Sequence, residues 1–289
     1  MDRLFGIPLE ELYWNLKVGR SKRKASVYTV MNNLSENIKQ PVFFLSTGRC
    51  GTKWFSDVLS FNKDLMVLHN PIPSLARQSK EVFWLFKNAT NNELKMKMAQ
   101  EIFLTGREQY LRFSYKSDKR YIETNNYITF FAPILAEIFP DSRFVHLYRH
   151  PADFVRSGIR RGYYQPGNED DIKRIIPSDS NEDWQSYSRV EKVGWLWNQT
   201  NSFIEQFKST TKADYMNFNF NSLSLASVKE LFNFLNLEIP ENKIEKLLNQ
   251  KSNVQKHGDF PEYNQWTDQQ KSDLKNVCLH LATKYGYQL

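Results

Sequence analysis

From residue 41 onward, short apolar runs alternate with stretches of helical periodicity, and this alternation constrains the fold more than any other feature. VFFL (42–45) and LMVL (65–68) are continuous apolar runs bounded by turn residues; RYIET (120–124), RFVHLYR (143–149) and DYMNFNF (214–220) follow as further strands. Between them, Trp54, Phe55, Val58 and Leu59 share one face of a helix that begins near Lys53. Val82, Leu85 and Phe86 do the same in a helical stretch over 80–112, as do Phe130, Phe131, Ile134, Leu135 and Ile138 over 126–139. A helix follows Pro151, and others are predicted over 189–207, 225–236 and 241–249. The last helix opens on a capping box, Thr267 with Gln270, and closes at Gly286. Apolar strands separated by helices predict an α/β fold whose parallel sheet is covered on both faces. Ligands of such sheets bind beyond the carboxyl ends of the strands. The residues after Leu45, Leu68, Ile122 and Tyr148 are therefore the ones expected to carry function.

The bulk numbers narrow the class. With 289 residues, 40% of them hydrophobic and 15% aromatic, the chain can bury a substantial core, which excludes wholesale disorder. Lys and Arg total 39 against 32 Asp and Glu, a net charge of +7 that suits an anionic partner. Two cysteines, Cys50 and Cys278, are too few for a disulfide scaffold, and no CxxC pair suggests zinc. The five histidines show no metal spacing. No run approaches the roughly 20 apolar residues of a membrane helix, and the first residues lack a signal-peptide pattern, so the expected location is the cytoplasm. Residues 1–38 read as a partly helical leader with a basic run, RSKRK, at 20–24; residues 39–289 read as one domain. The polar stretch 162–185 reads as a mobile loop over an acceptor.

The turn FLSTGRCGTKWF, between the first strand and its helix, is built like an anion site. Glycines at 48 and 51 let the backbone approach a ligand closely. The first amides of the following helix lack internal partners, and the helix dipole favours negative charge there. Arg49 and Lys53 add full charges and Thr52 a hydroxyl, which together form a cradle for a phosphate-like group. A plain glycine turn with solvated cations is the competing reading. The spacing is not that of the nucleotide loop G-x-x-x-x-G-K-[ST], because only two residues separate Gly48 from Gly51 and Thr52 precedes Lys53. The fourth strand ends in Arg149 where a triphosphatase needs a carboxylate for magnesium. Cys50 lacks the arginine six residues on that a thiol phosphatase requires, since residue 56 is Ser, and reads as a small packing residue.

A second cationic cluster lies at the end of the fourth strand. Arg149 offers a planar fork, and Ser157, eight residues later on the next helix, adds a hydroxyl. Two anion sites on one edge of the sheet suit a nucleotide with phosphates at two positions. These two clusters carry a resemblance: the chain looks like a sulfotransferase that uses 3′-phosphoadenosine 5′-phosphosulfate (PAPS). Arg49-Cys50-Gly51-Thr52-Lys53-Trp54 matches that family's 5′-phosphosulfate motif, and Arg149 with Ser157 matches its 3′-phosphate motif. Lys256-His257-Gly258 is a looser match to the segment that clamps the 3′-phosphate in cytosolic members. The resemblance spans roughly residues 41 to 289 and leaves the leader uncovered.

The resemblance implies a three-layer α/β/α domain of the P-loop type, in-line sulfonate transfer without a metal, and PAP (adenosine 3′,5′-bisphosphate) as the second product. Arg49 and Lys53 are then expected to stabilise the transferring group. In many members a lysine stands where Arg49 does; arginine holds its proton, so Arg49 is expected to act by charge and hydrogen bonds alone. Trp54 is placed to stack on adenine or, equally well, to fill the core. The base expected first is His69, which follows the second strand where other members carry a glutamate. Glu123, at the end of the third strand, comes second, or else holds a basic residue or the acceptor. His146 is expected to be packed mid-strand. The implied acceptor is a small molecule with a hydroxyl or amine, such as a specialised metabolite, rather than nucleic acid. Trp84, Tyr127, Tyr163, Tyr164 and Trp184 are candidates for its pocket. The rival readings are an ATP- or GTP-dependent kinase or NTPase of a related fold, and a non-catalytic binder of polyanions or membranes that works through the basic leader.

Overall fold

A computed structural model describes residues 27–177, 184–238, 240–249 and 258–289, together with the backbone of residues 3–4 and 7–8. The basic run at 20–24, together with Lys256 and His257, lies outside the described residues. Five parallel strands make the central sheet: β1 (Val42–Leu45), β2 (Leu65–Leu68), β3 (Arg120–Glu123), β4 (Arg143–Tyr148) and β5 (Asp214–Asn219). Their order across the sheet is β2-β3-β1-β4-β5, with every pairing parallel. The chain leaves β1 towards β2 on one side and leaves β4 towards β5 on the other. The crevice between the carboxyl ends of β1 and β4, which pair as far as Leu45 with His146, is therefore the topological switch point where ligands of such sheets bind.

Two short helices, Val27–Asn32 and Leu34–Asn37, precede the sheet; the helices after its first strand are α1 (Thr52–Leu59), α2 (Ala76–Asn88), α3 (Asn92–Ser117), α4 (Ala132–Ile138), α5 (Pro151–Ile159), α6 (Arg189–Thr210), α7 (Leu225–Leu235), α8 (Glu241–Leu248) and α9 (Asp268–Lys284). Side chains of β1 alternate between the two faces of the sheet. Phe43 and Leu45 join one core with α2, α3, α4, α6 and α9, while Val42 and Phe44 join the other with α1, α7 and α8. α1 buries Trp54, Phe55, Val58 and Leu59 in the second core, each contributing roughly 1.5–3 kcal/mol. That burial fixes the helix, and with it the turn that precedes it.

Two expectations change. The helical stretch expected over 80–112 is two helices, and the second is capped by Asn91, whose side chain accepts from the Leu94 amide. The helix expected over 126–139 begins as a 3-10 turn, Asn126–Phe131, before α4. Val30, Leu34 and Ile38 are buried in the first core, so packing reaches back into the segment read as a leader. Within 162–185, Glu169–Lys173 forms a 3-10 turn packed on α2, and residues 178–183 lie outside the described residues.

Candidate active site

The turn after β1 is anchored from both sides of its first residue. The Ser46 amide donates to Thr129 Oγ1 and the Thr129 hydroxyl donates back to the Ser46 carbonyl, both at 3.0 Å. Gly48, Arg49 and Gly51 all adopt positive φ, at 74°, 56° and 86°. Turns of this kind gather backbone N–H groups into an anion-binding concavity. Gly51 caps α1 without any side-chain hydrogen bond, so the first-turn amides keep no internal partner. The Cys50 thiol is buried beneath the turn, donating to the Gly48 carbonyl at 3.1 Å, and burial pushes its pKa up. It packs the turn.

The two clusters meet. Arg49 Nε donates to Ser157 Oγ at 3.1 Å, and Arg149 Nη1 donates to the Arg49 carbonyl at 2.9 Å. Arg149 is further held by Asp153, one turn along α5, at 3.3 Å, and its carbonyl accepts from Trp197 Nε1 at 3.1 Å. Its Nε is buried and has no partner among the described residues. Burial holds the Arg49 pKa below its ordinary value, and the nearby cations Arg161 and Arg149 push in the same direction. Three arginines close enough to repel one another, with one half-exposed carboxylate among them, leave the region short of negative charge.

A cavity of about 520 Å³ opens here, lined by Arg49, Gly51, Thr52, Lys53, Trp54, His69, Arg149 and Phe220. Lys53 pairs with Asp57 on an exposed face of α1; such a pair is worth little, so the ammonium can turn to a ligand. Trp54 is buried against Phe55, edge to face at 5.0 Å, and also borders the cavity. His69 Nδ1 lies 3.1 Å from Thr124 Oγ1, whose own hydroxyl donates to the Leu68 carbonyl at 3.3 Å. The threonine must therefore accept from the imidazole, which leaves the lone pair on Nε2. Burial first, then Lys53, lowers the His69 pKa to about 4.

Glu123 lies elsewhere. Its carboxylate is fully buried and accepts from Arg107 Nε at 3.0–3.1 Å and Nη2 at 2.7 Å, from the Tyr121 hydroxyl at 2.6 Å and from Asn125 Nδ2 at 3.2 Å. Expected as the second candidate base, it instead holds a buried basic residue, and a carboxylate so engaged has no free edge for an acceptor proton. Gly258 packs at the end of α5: its carbonyl accepts from Arg160 Nε at 2.9 Å, and a Cβ there would stand 2.2 Å from the Arg160 carbonyl oxygen. His146 is packed as expected, with Nε2 2.9 Å from Asn201 Oδ1.

A second cavity, about 470 Å³, lies on the other side of the same turn, lined by Ser46, Thr47, Asn126, Tyr127, Tyr163 and Arg174 among others. Of the aromatics considered for an acceptor pocket, Tyr127 and Tyr163 line it. Trp184 and Tyr164 instead stack edge to face at 5.1 Å, and Trp84 packs on Phe83. The sequence reading missed Phe220 and Asn126. Both stand just past a strand's carboxyl end, and the rule that selected His69 and Arg149 selects them too.

A family model for sulfotransferases matches residues 41–190, more than half of the chain, and that stretch carries both cationic clusters. The chain belongs to the sulfotransferase family. Among solved structures it is similar to sulfotransferase STF9 from Mycobacterium avium, at 9% identity and a TM-score of 0.54 over 97% of this chain and 83% of that one. It is also similar to the sulfotransferase domain of the Synechococcus PCC 7002 olefin synthase, at 17% identity and a TM-score of 0.49, covering 88% of this chain and 96% of that one. Mouse sulfotransferase SULT7A1, solved in complex with PAP, matches at 13% identity and a TM-score of 0.45 over 90% of each chain. No curated protein matches by sequence. At such identities the first of these likenesses speaks for the sulfotransferase fold alone. No helix among the described residues is long and apolar enough to cross a membrane.

Proposed function

We propose that the chain moves a sulfonate group from PAPS to a hydroxyl or amine of a small-molecule acceptor. The observation that carries this reading is the junction of the two clusters: Arg49 reaches Ser157, Arg149 reaches Arg49, and both arginines line one cavity. The donor fits the residues present. The first-turn amides of α1, with Arg49, Thr52 and Lys53, would hold the 5′-phosphosulfate. Arg149, whose buried Nε lacks a partner among the described residues, would hold the 3′-phosphate with Ser157. Gly258 lets the C-terminal segment close against the end of α5; Lys256 and His257, outside the described residues, are proposed as donor ligands from the sequence alone. Trp54 and Phe220 would flank the adenine.

The acceptor oxygen or nitrogen attacks sulfur from the side opposite the 5′-phosphate. The new bond to sulfur forms as the sulfur–oxygen bond to the phosphate breaks, and PAP leaves with that electron pair. Arg49 and Lys53 stabilise the charge that shifts onto the leaving phosphate. His69 takes the acceptor's proton at Nε2; with a pKa of about 4 it is unprotonated, though weakly basic, at neutral pH. The cations across the cavity help by favouring the ionised acceptor.

Calorimetry and thermal shift test the reading. PAP should raise the melting temperature, and ATP with magnesium should not. The double variant Arg149→Gln, Ser157→Ala should bind PAP at least about 100-fold more weakly, since each charge-assisted hydrogen bond is worth roughly 1.5–3 kcal/mol. An unchanged affinity in that variant rejects the assigned donor site.

A further inference from the structure

The second cavity carries a charge pattern that the donor reading leaves unexplained. Its strap supplies Lys173 and Arg174, and among the described residues no carboxylate lines it. The Arg174 side chain is only 11% exposed. Its guanidinium lies 3.6 Å from the centre of the Tyr163 ring and pairs through Nη1 with Asp171. Its remaining N–H groups make no hydrogen bond among the described residues and are not shut off from solvent, so they can turn to a ligand. Lys173 pairs with Asp170 at 2.7 Å, but that aspartate is 67% exposed and the pair is readily given up. The opposite wall is hydroxyl-rich, with Ser46, Thr47, Thr129 and Tyr127. Ser46 and Thr47 belong to the very turn whose next residues line the donor cavity.

We infer that this cavity takes the acidic end of the acceptor: a hydroxylated small molecule whose carboxylate is held by Arg174 and Lys173 while its hydroxyl extends past the Ser46–Gly51 turn towards the donor cavity that His69 lines. The inference rests on the PAPS reading, which makes the far side of that turn the donor side. Arg174 supplies the planar fork that a carboxylate matches, and Lys173 a point charge at the mouth.

The test uses the full chain loaded with PAP and two probes of equal size, 4-hydroxyphenylacetate and its uncharged amide, 4-hydroxyphenylacetamide, titrated by calorimetry. The acid should bind at least tenfold more tightly than the amide. Arg174→Gln and Lys173→Gln should each bring the ratio towards one, and Arg174→Lys should restore part of it. A rise in melting temperature on adding PAP shows that each variant is folded. An acid no better than the amide in the unaltered protein, no binding of either probe, or a ratio that both glutamine variants leave intact overturns the inference. Failure of the unaltered protein to bind PAP is a separate result: it overturns the donor reading and the acceptor assignment with it.

Discussion

Gly51 sits where the two requirements of the turn collide. Its φ of 86° disfavours any side chain, and a Cβ there would meet the Phe220 ring at 2.0 Å. Gly51→Ala should therefore cost about 2–4 kcal/mol, combining the left-handed conformation with displacement of the ring, and should weaken PAP binding at least tenfold. Thermal melting and calorimetry check the two parts separately; a variant that melts normally and binds normally contradicts the described turn. His69→Ala should lower turnover by 10²–10⁴, the usual contribution of a positioned base, and leave PAP affinity within about threefold. Full activity would show that the proton leaves by another route. At this scale the sequence was informative about position and silent about partners. Strand ends pointed to His69 and Arg149 because the sheet's carboxyl edge gathers ligands. The same rule pointed to Glu123, yet its partner Arg107 lies on a helix whose facing side only the packed structure reveals.

The link between α3 and β3 gives a prediction for an element pair. Arg107 and Glu123 are both fully buried. Breaking such a pair leaves a charge stranded, at a cost of about 3–5 kcal/mol. Glu123→Gln should lose that much stability in urea unfolding with the slope unchanged; a loss below about 1 kcal/mol contradicts the assignment of this carboxylate as a strut. The strands were legible to within a residue or two, whereas the stretch read as one helix over 80–112 is two helices reaching from 76 to 117. Strands buried on both faces cannot tolerate polar residues, so runs such as VFFL are conspicuous. The break between α2 and α3 was missed because Ala89 and Thr90 interrupt neither charge nor periodicity strongly. The signal present was Asn91, a strong N-cap residue three positions before Leu94. The mixed 3-10 and α character after β3 has no sequence mark, because Thr129 bonding to Ser46 draws that segment onto the turn.

Across the whole molecule, the buried His146 and the partly buried His69 shape the response to acid. His69 beside the cavity and His146 between β4 and α6 are each held down to a pKa of about 4, chiefly by burial. Lys53 adds to this at His69, and Lys208 adds to it at His146, where Asn201, Glu205 and Asn217 also face the ring and oppose it. Glu205 is lowered to about 2 by Lys208, Lys284 and His146, against its own burial. Between about pH 6.5 and 4 the unfolded chain binds protons that the folded chain refuses, so stability falls as the pH drops, by up to about 1.4 kcal/mol per pH unit for each histidine. Below about pH 4.5, Glu205 adds a loss of the same sign. Melting temperature should fall steadily from pH 7 to 5; a flat profile contradicts the burial of both rings. The net charge of +7 pointed to an anionic partner from the outset, but only the fold shows where the charge is concentrated, around Arg49, Arg149 and Arg161. The most direct test of that concentration as a donor site is a crystal structure of the chain grown with PAP. The account predicts the 3′-phosphate on Arg149 and Ser157 and the 5′-phosphate on the first-turn amides of α1. PAP bound elsewhere, or turned so that neither phosphate meets its cluster, would contradict it.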